Sequence, residues 1–189
     1  MNKDLQEALE LVKLHQTCGQ LEWERETLLT MVQSRLKPRF SIELGSAAGG
    51  MAYLIAAVTQ TKVIAVDIRH TTHRSVMVPK IEWITGYTNS IGVLGMAKKR
   101  IGGWADFLFI DAEHTKKAAQ NDFNIWKTMI RPGGWIAFHD INNASCPGVR
   151  EVWDGIVGHK IELIQTSAHN HFGYEGYIGC GGIGVVTMP

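Results

Sequence analysis

The residues best suited to chemistry gather at the ends of two apolar runs. Ala105-Asp106-Phe107-Leu108-Phe109-Ile110 leads into Asp111, Glu113 and His114, and Trp135-Ile136-Ala137-Phe138 leads into His139-Asp140. An apolar run that closes on acids and imidazoles just ahead of a helical pattern reads as a buried strand presenting functional groups at a sheet edge. With these two strands as neighbours, Asp111, His139 and Asp140 converge. Two carboxylates suit magnesium, calcium or manganese, and the imidazole widens the choice to other transition metals. A metal there would hold an acceptor hydroxyl and lower its pKa. Glu113 then stands ready to remove the proton. His114 is the competing base, because its unperturbed pKa lies nearer neutrality. The plain alternative is helix capping by Glu113 or Thr115, with Asp140 as a turn residue.

A second group lies earlier in the chain. Phe40-Ser41-Ile42-Glu43-Leu44 runs into Gly45-Ser46-Ala47-Ala48-Gly49-Gly50. Gly45 permits a sharp turn, the small residues keep side chains clear, and Gly49 and Gly50 allow the backbone close to a ligand. The next apolar run, Val63-Ile64-Ala65-Val66, closes on Asp67, whose carboxylate can accept from both ribose hydroxyls. A glycine loop followed by an acid, each at a strand end, is a nucleotide-binding pattern. The segment GSAAGG departs from the dinucleotide pattern GxGxxG, and Glu43 beside it is unhelpful to a pyrophosphate.

The elements that must position these groups are legible in outline. Strands are expected at Phe40–Leu44, Lys62–Asp67, Ile81–Thr85, 106–110, 135–139, 161–165 and 184–188, most of them unbroken apolar runs covered on both faces. Helical patterns intervene at Gly50–Thr59, 90–100, 115–130 and 149–157. Strand and helix in alternation mean a doubly wound α/β sheet whose ligand sits along one edge. The last two strands have no helix between them, so an antiparallel pair joined by the loop 167–182 is expected. That loop carries His169, His171, Phe172, Tyr174 and Tyr177, fit for an acceptor pocket or lid. Arg131-Pro132-Gly133-Gly134 reads as a turn feeding strand five. Residues 1–36 read as two helices with a break at Cys18-Gly19, a cap or contact surface ahead of the domain at 37–189.

The spacing of Glu43, Gly45 and Gly49 resembles the first motif, ExGxxxG, of the class I S-adenosylmethionine-dependent methyltransferases. That resemblance implies a Rossmann-like seven-stranded sheet, mostly parallel with an antiparallel C-terminal strand, behind an N-terminal helical extension. It places Glu43, Gly45, Ser46 and Gly49 along the methionine part of S-adenosylmethionine and Asp67 on the ribose. It makes Ile68, Tyr87 and Ser90 candidates for the adenine pocket, with a loop and helix cap as the plain alternative for Ser90. Phe109 to Asp140 is similar to the small O-methyltransferases acting on sugars and macrolides and to the cephalosporin hydroxylase group. From them come magnesium ligands at Asp111 and Asp140 and a base at Glu113, with Asp111 counted on the cofactor side too. The sugar enzymes carry a second Asp where this chain has His139, and magnesium accepts imidazole poorly.

Composition narrows the partners. The 189 residues carry a formal net charge of +1, with 45% apolar and 20% charged residues, so neither nucleic acid nor an anionic membrane is an electrostatic partner. No apolar run reaches the length of a membrane span. Three scattered cysteines suit a reducing cytoplasm and show no CxxC pair. The expectation is a cytoplasmic enzyme methylating a hydroxyl of a small-molecule acceptor, with self-association through the N-terminal helices left open. Its rivals are an NAD-dependent oxidoreductase and a non-catalytic cofactor-binding module.

Overall fold

The computed structural model describes residues 3–14, 19–71, 78–164 and 181–189. The strands are β1 (Phe40–Leu44), β2 (Lys62–Asp67), β3 (Ile81–Thr85), β4 (Ala105–Ile110), β5 (Ile130–Phe138), β6 (His159–Leu163) and β7 (Ile183–Thr187). They form one sheet in the order β3-β2-β1-β4-β5-β7-β6. All neighbours are parallel except β7, which runs antiparallel to both β5 and β6. The order reverses between β1 and β4, which makes their C-terminal ends the expected ligand crevice.

Alternation along each strand divides the core between two faces. Ile42, Ile64, Leu108 and Ile136 point to the side covered by α4 (Ile91–Ile101), α5 (Lys116–Trp126) and α6 (Pro147–Gly155). Val63, Ala65, Phe107 and Ala137 point to the side covered by α1 (Lys3–Leu14), α2 (Glu22–Met31) and α3 (Gly50–Thr59). Because both faces are covered, the interiors of β2 and β4 are continuous apolar runs, while β1 alternates and buries Ser41 and Glu43 as well. The N-terminal helices are part of this packing. Leu5, Ala8, Leu9 and Val12 are buried, and α1 lies along α3.

Four expectations change, the simplest being α6, which lies two residues earlier than the expected 149–157. β5 starts at Ile130, five residues earlier than expected, because Arg131–Gly134 is a bulge inside the strand. Ala105 pairs with Ile130 but Phe107 with Trp135, and Gly133 takes a φ of 74° as its N–H reaches the Met188 carbonyl at 3.0 Å. The helix expected over 115–130 ends at Trp126 and tightens into a 3-10 turn, Lys127–Met129, before β5. β6 lies two residues earlier than expected. Residues 165–180, with the aromatic and histidine-rich loop, Cys180 and most of the expected lid, lie outside the described residues, as does Cys18.

Candidate active site

Gly45 leaves β1 with a φ of 83°, and a Cβ placed on it would stand 2.0 Å from the Asp111 carbonyl oxygen. Only glycine fits there, and the contact brings the loop after β1 against the end of β4. The loop is held by main-chain bonds: the N–H groups of Gly45 and Ser46 reach the Val66 carbonyl at 2.8 and 3.3 Å, and Gly49 N–H reaches Ser46 O at 2.6 Å. Asp67 closes the circuit, accepting from Ala47 N–H at 2.8 Å on one oxygen and Arg69 N–H at 3.0 Å on the other.

A cleft of about 420 Å³ opens over this junction. Glu43, Gly45 and Ser46 line one side, and Asp111, His114, His139 and Asp140 line the other. Four of the expected cofactor residues (Glu43, Gly45, Ser46 and Asp111) and all three expected metal ligands thus share one concavity. Glu43 is buried with its Oε2 unpartnered, and burial, joined by the charge of Asp111, drives its carboxyl well above the usual range. Gly49 caps α3 just behind the loop.

The β4–β5 side of the cleft is an interlocked set of two carboxylates and two imidazoles. His114 Nε2 sits 2.8 Å from Asp140 Oδ2 and 3.3 Å from Asp111 Oδ1. His139 Nδ1 sits 3.2 Å from Asp111 Oδ1 and 3.4 Å from Asp140 Oδ2. Asn143 donates to Asp140 Oδ1 at 3.0 Å, and Asp140 holds a left-handed φ of 62°, which an aspartate tolerates at modest strain. Hydrogen bonding to Asp111 and Asp140 raises the pKa of His114. For His139 burial pulls down, but the Asp111 charge and the hydrogen bonds outweigh it. Burial pushes both carboxyls up and the imidazoles more than reverse it, so Asp111 and Asp140 end below the ordinary range.

Donor atoms of Asp111, His139 and Asp140 lie within 4.8 Å of one another, and so do those of His114, Asp140 and Cys146. His139 Nε2 is buried without a partner. Cys146 holds the N-cap position of α6.

Other expected residues fall elsewhere. Glu113 is exposed, accepts the Thr115 hydroxyl at 2.9 Å and does not line the cleft, while its neighbour His114 does. Thr115, not Glu113, caps α5, through Ala118 N–H. Asp67, Ile68, Tyr87 and Ser90 lie beyond the cleft lining, on the ends of β2 and β3 and the loops that follow. Ile68 and Tyr87 are largely exposed, and Ser90 holds the N-cap position of α4 without a capping bond from its side chain.

Gln20 is the residue that sequence reasoning missed. It is buried, its side-chain amide donates to Asp111 Oδ2, and Gly19, Gln20 and Leu21 form part of the cleft wall. Arg25 Nη1 holds the Gln20 carbonyl at 3.1 Å, and the Glu24 carboxylate accepts Gly182 N–H at 3.0 Å. Nothing local marks a glutamine beside a helix break for this role. His70 was missed as well: its Nδ1 lies 3.2 Å from Ser46 Oγ and its Nε2 3.1 Å from Ile84 O, bracing the loop after β1.

A family model described as a methyltransferase domain matches residues 42–141, the span from β1 to just past Asp140. The chain belongs to the methyltransferase domain family. This methyltransferase also shares its fold with solved O-methyltransferases. One, from Bacillus cereus in complex with SAH, is 17% identical, with a TM-score of 0.64 over 99% of this chain and 91% of that one. TomG from Streptomyces achromogenes, involved in tomaymycin synthesis and solved with SAM, is 14% identical, with a TM-score of 0.64 over 100% of this chain and 91% of its own. MycE from the mycinamycin biosynthetic pathway, solved with Mg, SAH and mycinamycin VI, is 21% identical, with a TM-score of 0.59 over 78% of this chain but only 40% of its own. The expectation of a methyltransferase on a mostly parallel seven-stranded sheet is borne out, and family membership sets the oxidoreductase rival aside. Among the described residues no helix is long and apolar enough to cross a membrane.

Proposed function

We propose that this methyltransferase moves the methyl group of S-adenosylmethionine to a hydroxyl of a small molecule such as a sugar, polyketide or phenol. One observation carries the proposal: the close approach of Gly45 to Asp111 makes the cofactor loop and the carboxylate–imidazole set two walls of one cleft. A sulfonium on the loop side then faces an acceptor oxygen on the other at short range, so positioning supplies much of the rate. Glu43, with an unpartnered buried oxygen, is suited to the cofactor's ammonium group. Asp67 and the rim of Ile68, Tyr87 and Ser90 extend the site toward ribose and adenine.

The donor set fits a divalent metal. Asp111, His139 and Asp140 would hold it, with His139 offering the Nδ1 that already faces both carboxylates. Carboxylates mixed with imidazole suit manganese, iron or zinc better than magnesium. A bound dication would acidify the acceptor hydroxyl and take over the carboxylate charge that keeps His114 protonated. Between the two candidate bases, His114 is the one in the cleft; Glu113 would have to turn in from solvent. Gln20 holds one oxygen of Asp111, which directs the other toward the imidazoles. Self-association through the N-terminal helices draws support from Leu14, largely exposed, and Trp23, about half exposed, and sedimentation showing only a monomer at high concentration would remove it.

Calorimetry tests the cofactor assignment. S-adenosylhomocysteine should bind with one site per chain and NAD should not. Incubation with S-adenosylmethionine and a panel of sugar, polyketide and phenol hydroxyls should then yield a methylated product. Binding of NAD in place of S-adenosylhomocysteine would overturn the proposal.

A further inference from the structure

The turn that follows β5 brings a sulfur beside the carboxylate–imidazole set. One nitrogen of His114, one oxygen of Asp140 and the Sγ of Cys146 lie within 4.8 Å of one another. Two separate pieces of backbone hold them there. Asn143 folds the segment 140–146 over Asp140. Its N–H reaches the Asp140 carbonyl at 3.3 Å and its side-chain amide donates to Asp140 Oδ1 at 3.0 Å. Its Oδ1 accepts Ser145 N–H at 2.9 Å, and its carbonyl accepts Cys146 N–H at 2.9 Å. Gly148, in the first turn of α6, lets that helix press on the turn carrying His114. A Cβ there would stand 2.3 Å from the Lys116 nitrogen and 3.0 Å from the His114 carbonyl oxygen.

These three groups differ in kind from Asp111, His139 and Asp140. A thiolate is a soft ligand, and joined to an imidazole and a carboxylate it selects zinc over magnesium, calcium or manganese. At bond lengths of about 2.0–2.3 Å, zinc holds its ligand atoms roughly 3.3–3.6 Å apart, so the His114–Asp140 contact of 2.8 Å opens by about half an ångström to admit it. Three protein ligands leave a fourth position for water. The His114 side chain is 36% exposed, which gives the ion a path in. Cys146 stands at a helix N-cap, a place that Ser, Thr, Asp or Asn fill best and a thiol serves weakly.

We infer that His114, Asp140 and Cys146 form a second cation site, thiophilic and suited to zinc, which shares Asp140 with the set of Asp111 and His139. Binding exchanges the thiol proton of Cys146 for the metal: the S–H bond breaks, the S–Zn bond forms and the proton goes to solvent. A zinc ion there takes the lone pair of the His114 imidazole, so the occupied site and the general base exclude one another and zinc inhibits methyl transfer. That consequence rests on His114 as the base; the site itself rests on the geometry of the two turns.

The test is titration of cobalt(II), a spectroscopic stand-in for zinc, into the full chain kept reduced with a phosphine, followed by competition with zinc. The wild-type chain should develop a thiolate-to-cobalt charge-transfer band in the near ultraviolet, and zinc should displace it. Cys146→Ser should abolish the band and weaken zinc binding about hundredfold, because losing even an outer-shell partner of a metal site costs about 10- to 100-fold. His114→Gln should weaken zinc binding to a similar degree, and it remains informative where urea unfolding shows that Cys146→Ser has not folded. Asp111→Asn disables the neighbouring set and should keep the band. A wild-type chain without the band would overturn the inference, as would a band that survives in folded Cys146→Ser and so comes from Cys18 or Cys180. Wild-type zinc affinity in folded His114→Gln would overturn it too, and loss of the band in folded Asp111→Asn would merge the two sets into one site. None of these outcomes bears on the cofactor assignment, and a chain that binds no S-adenosylhomocysteine would leave the second site standing.

Discussion

The two walls of the cleft are built by opposite means. On the β1–β2 side the work is done by main chain: a glycine that tolerates no Cβ, amides of Gly45 and Ser46 on the Val66 carbonyl, and amides of Ala47 and Arg69 on Asp67. On the β4–β5 side it is done by charged side chains that neutralise one another, Asp111 and Asp140 against His114 and His139. A wall of backbone is rigid and changes little with pH. A wall of paired charges is poised to exchange its protons for another cation. The contrast suits a site that binds one constant ligand and activates another.

Five substitutions test that contrast, taken in four steps from the largest expected effect to the smallest. Gly45→Ala strikes the junction of the walls. With a φ of 83° and a Cβ 2.0 Å from the Asp111 carbonyl, it should cost on the order of 4 kcal/mol and abolish S-adenosylhomocysteine binding. Urea unfolding and calorimetry read both, and wild-type values would show that the walls do not depend on this contact.

On the charged side, His114→Ala should lower methyl transfer about a hundredfold or more. Glu113→Gln should change it by about threefold at most, since Glu113 faces solvent beside Thr115. Rates from single-turnover assays that fall in the reverse order would move the base to Glu113.

Asp122→Asn acts on a buried charge outside the cleft, on α5. Burial, reinforced by Glu113, raises the Asp122 carboxyl from 3.8 to about 6 against the pull of Thr88. The folded pKa exceeds the unfolded one, so Asp122 adds stability when protonated and loses that contribution as pH rises from about 4 to 6. Removing the charge should raise stability by about 1 kcal/mol or more at pH 7 and flatten the pH dependence in that window. Denaturation series at pH 4 and pH 7 would show this, and an equal effect of the substitution at both would contradict it.

Asp106 is the control on the far side of β4. Burial raises its carboxyl, but the Arg131 hydrogen bond and the amides of Arg39 and Phe40 more than reverse this and leave it lowered. Its contribution is present above its unfolded pKa and fades as pH falls toward the folded one. Arg131 is about one-third exposed, so Arg131→Ala should cost about 1 kcal/mol or less at pH 7 and less still in acid. It should leave cofactor binding unchanged. A loss of binding would tie the bulge at Arg131–Gly134 to the site.

The backbone wall was the more legible in the sequence. β1, β2 and β3 match their expected limits because each is bounded by a turn-forming or polar segment, Gly45 after β1, Asp67 at the end of β2 and Gly86 after β3. The charged wall was legible in its membership but not in its facing. Asp111, His139 and Asp140 converge as expected because β4 and β5 pair in register up to Ile110 and Phe138. Which of Glu113 and His114 enters the cleft depends on the turn before α5, packed against Gly148, where an added Cβ would lie 3.0 Å from the His114 carbonyl. That is a tertiary contact no local pattern carries. Gln20 reaches Asp111 across 91 positions of sequence and was invisible for the same reason. The start of β5 was missed because Pro132-Gly133 has the composition of a turn, and only its partner strands show that it bulges within the ladder.

A crystal structure with S-adenosylhomocysteine and manganese, phased to show the anomalous signal of the metal, tests the shared cleft most directly. The homocysteine sulfur should lie between the Gly45–Gly49 loop and the Asp111–Asp140 pair, with the ribose on Asp67 and one anomalous peak touching Asp111, His139 and Asp140. A nucleoside bound away from the Gly45 loop, or a sulfur on the opposite face of the sheet from those carboxylates, would contradict it.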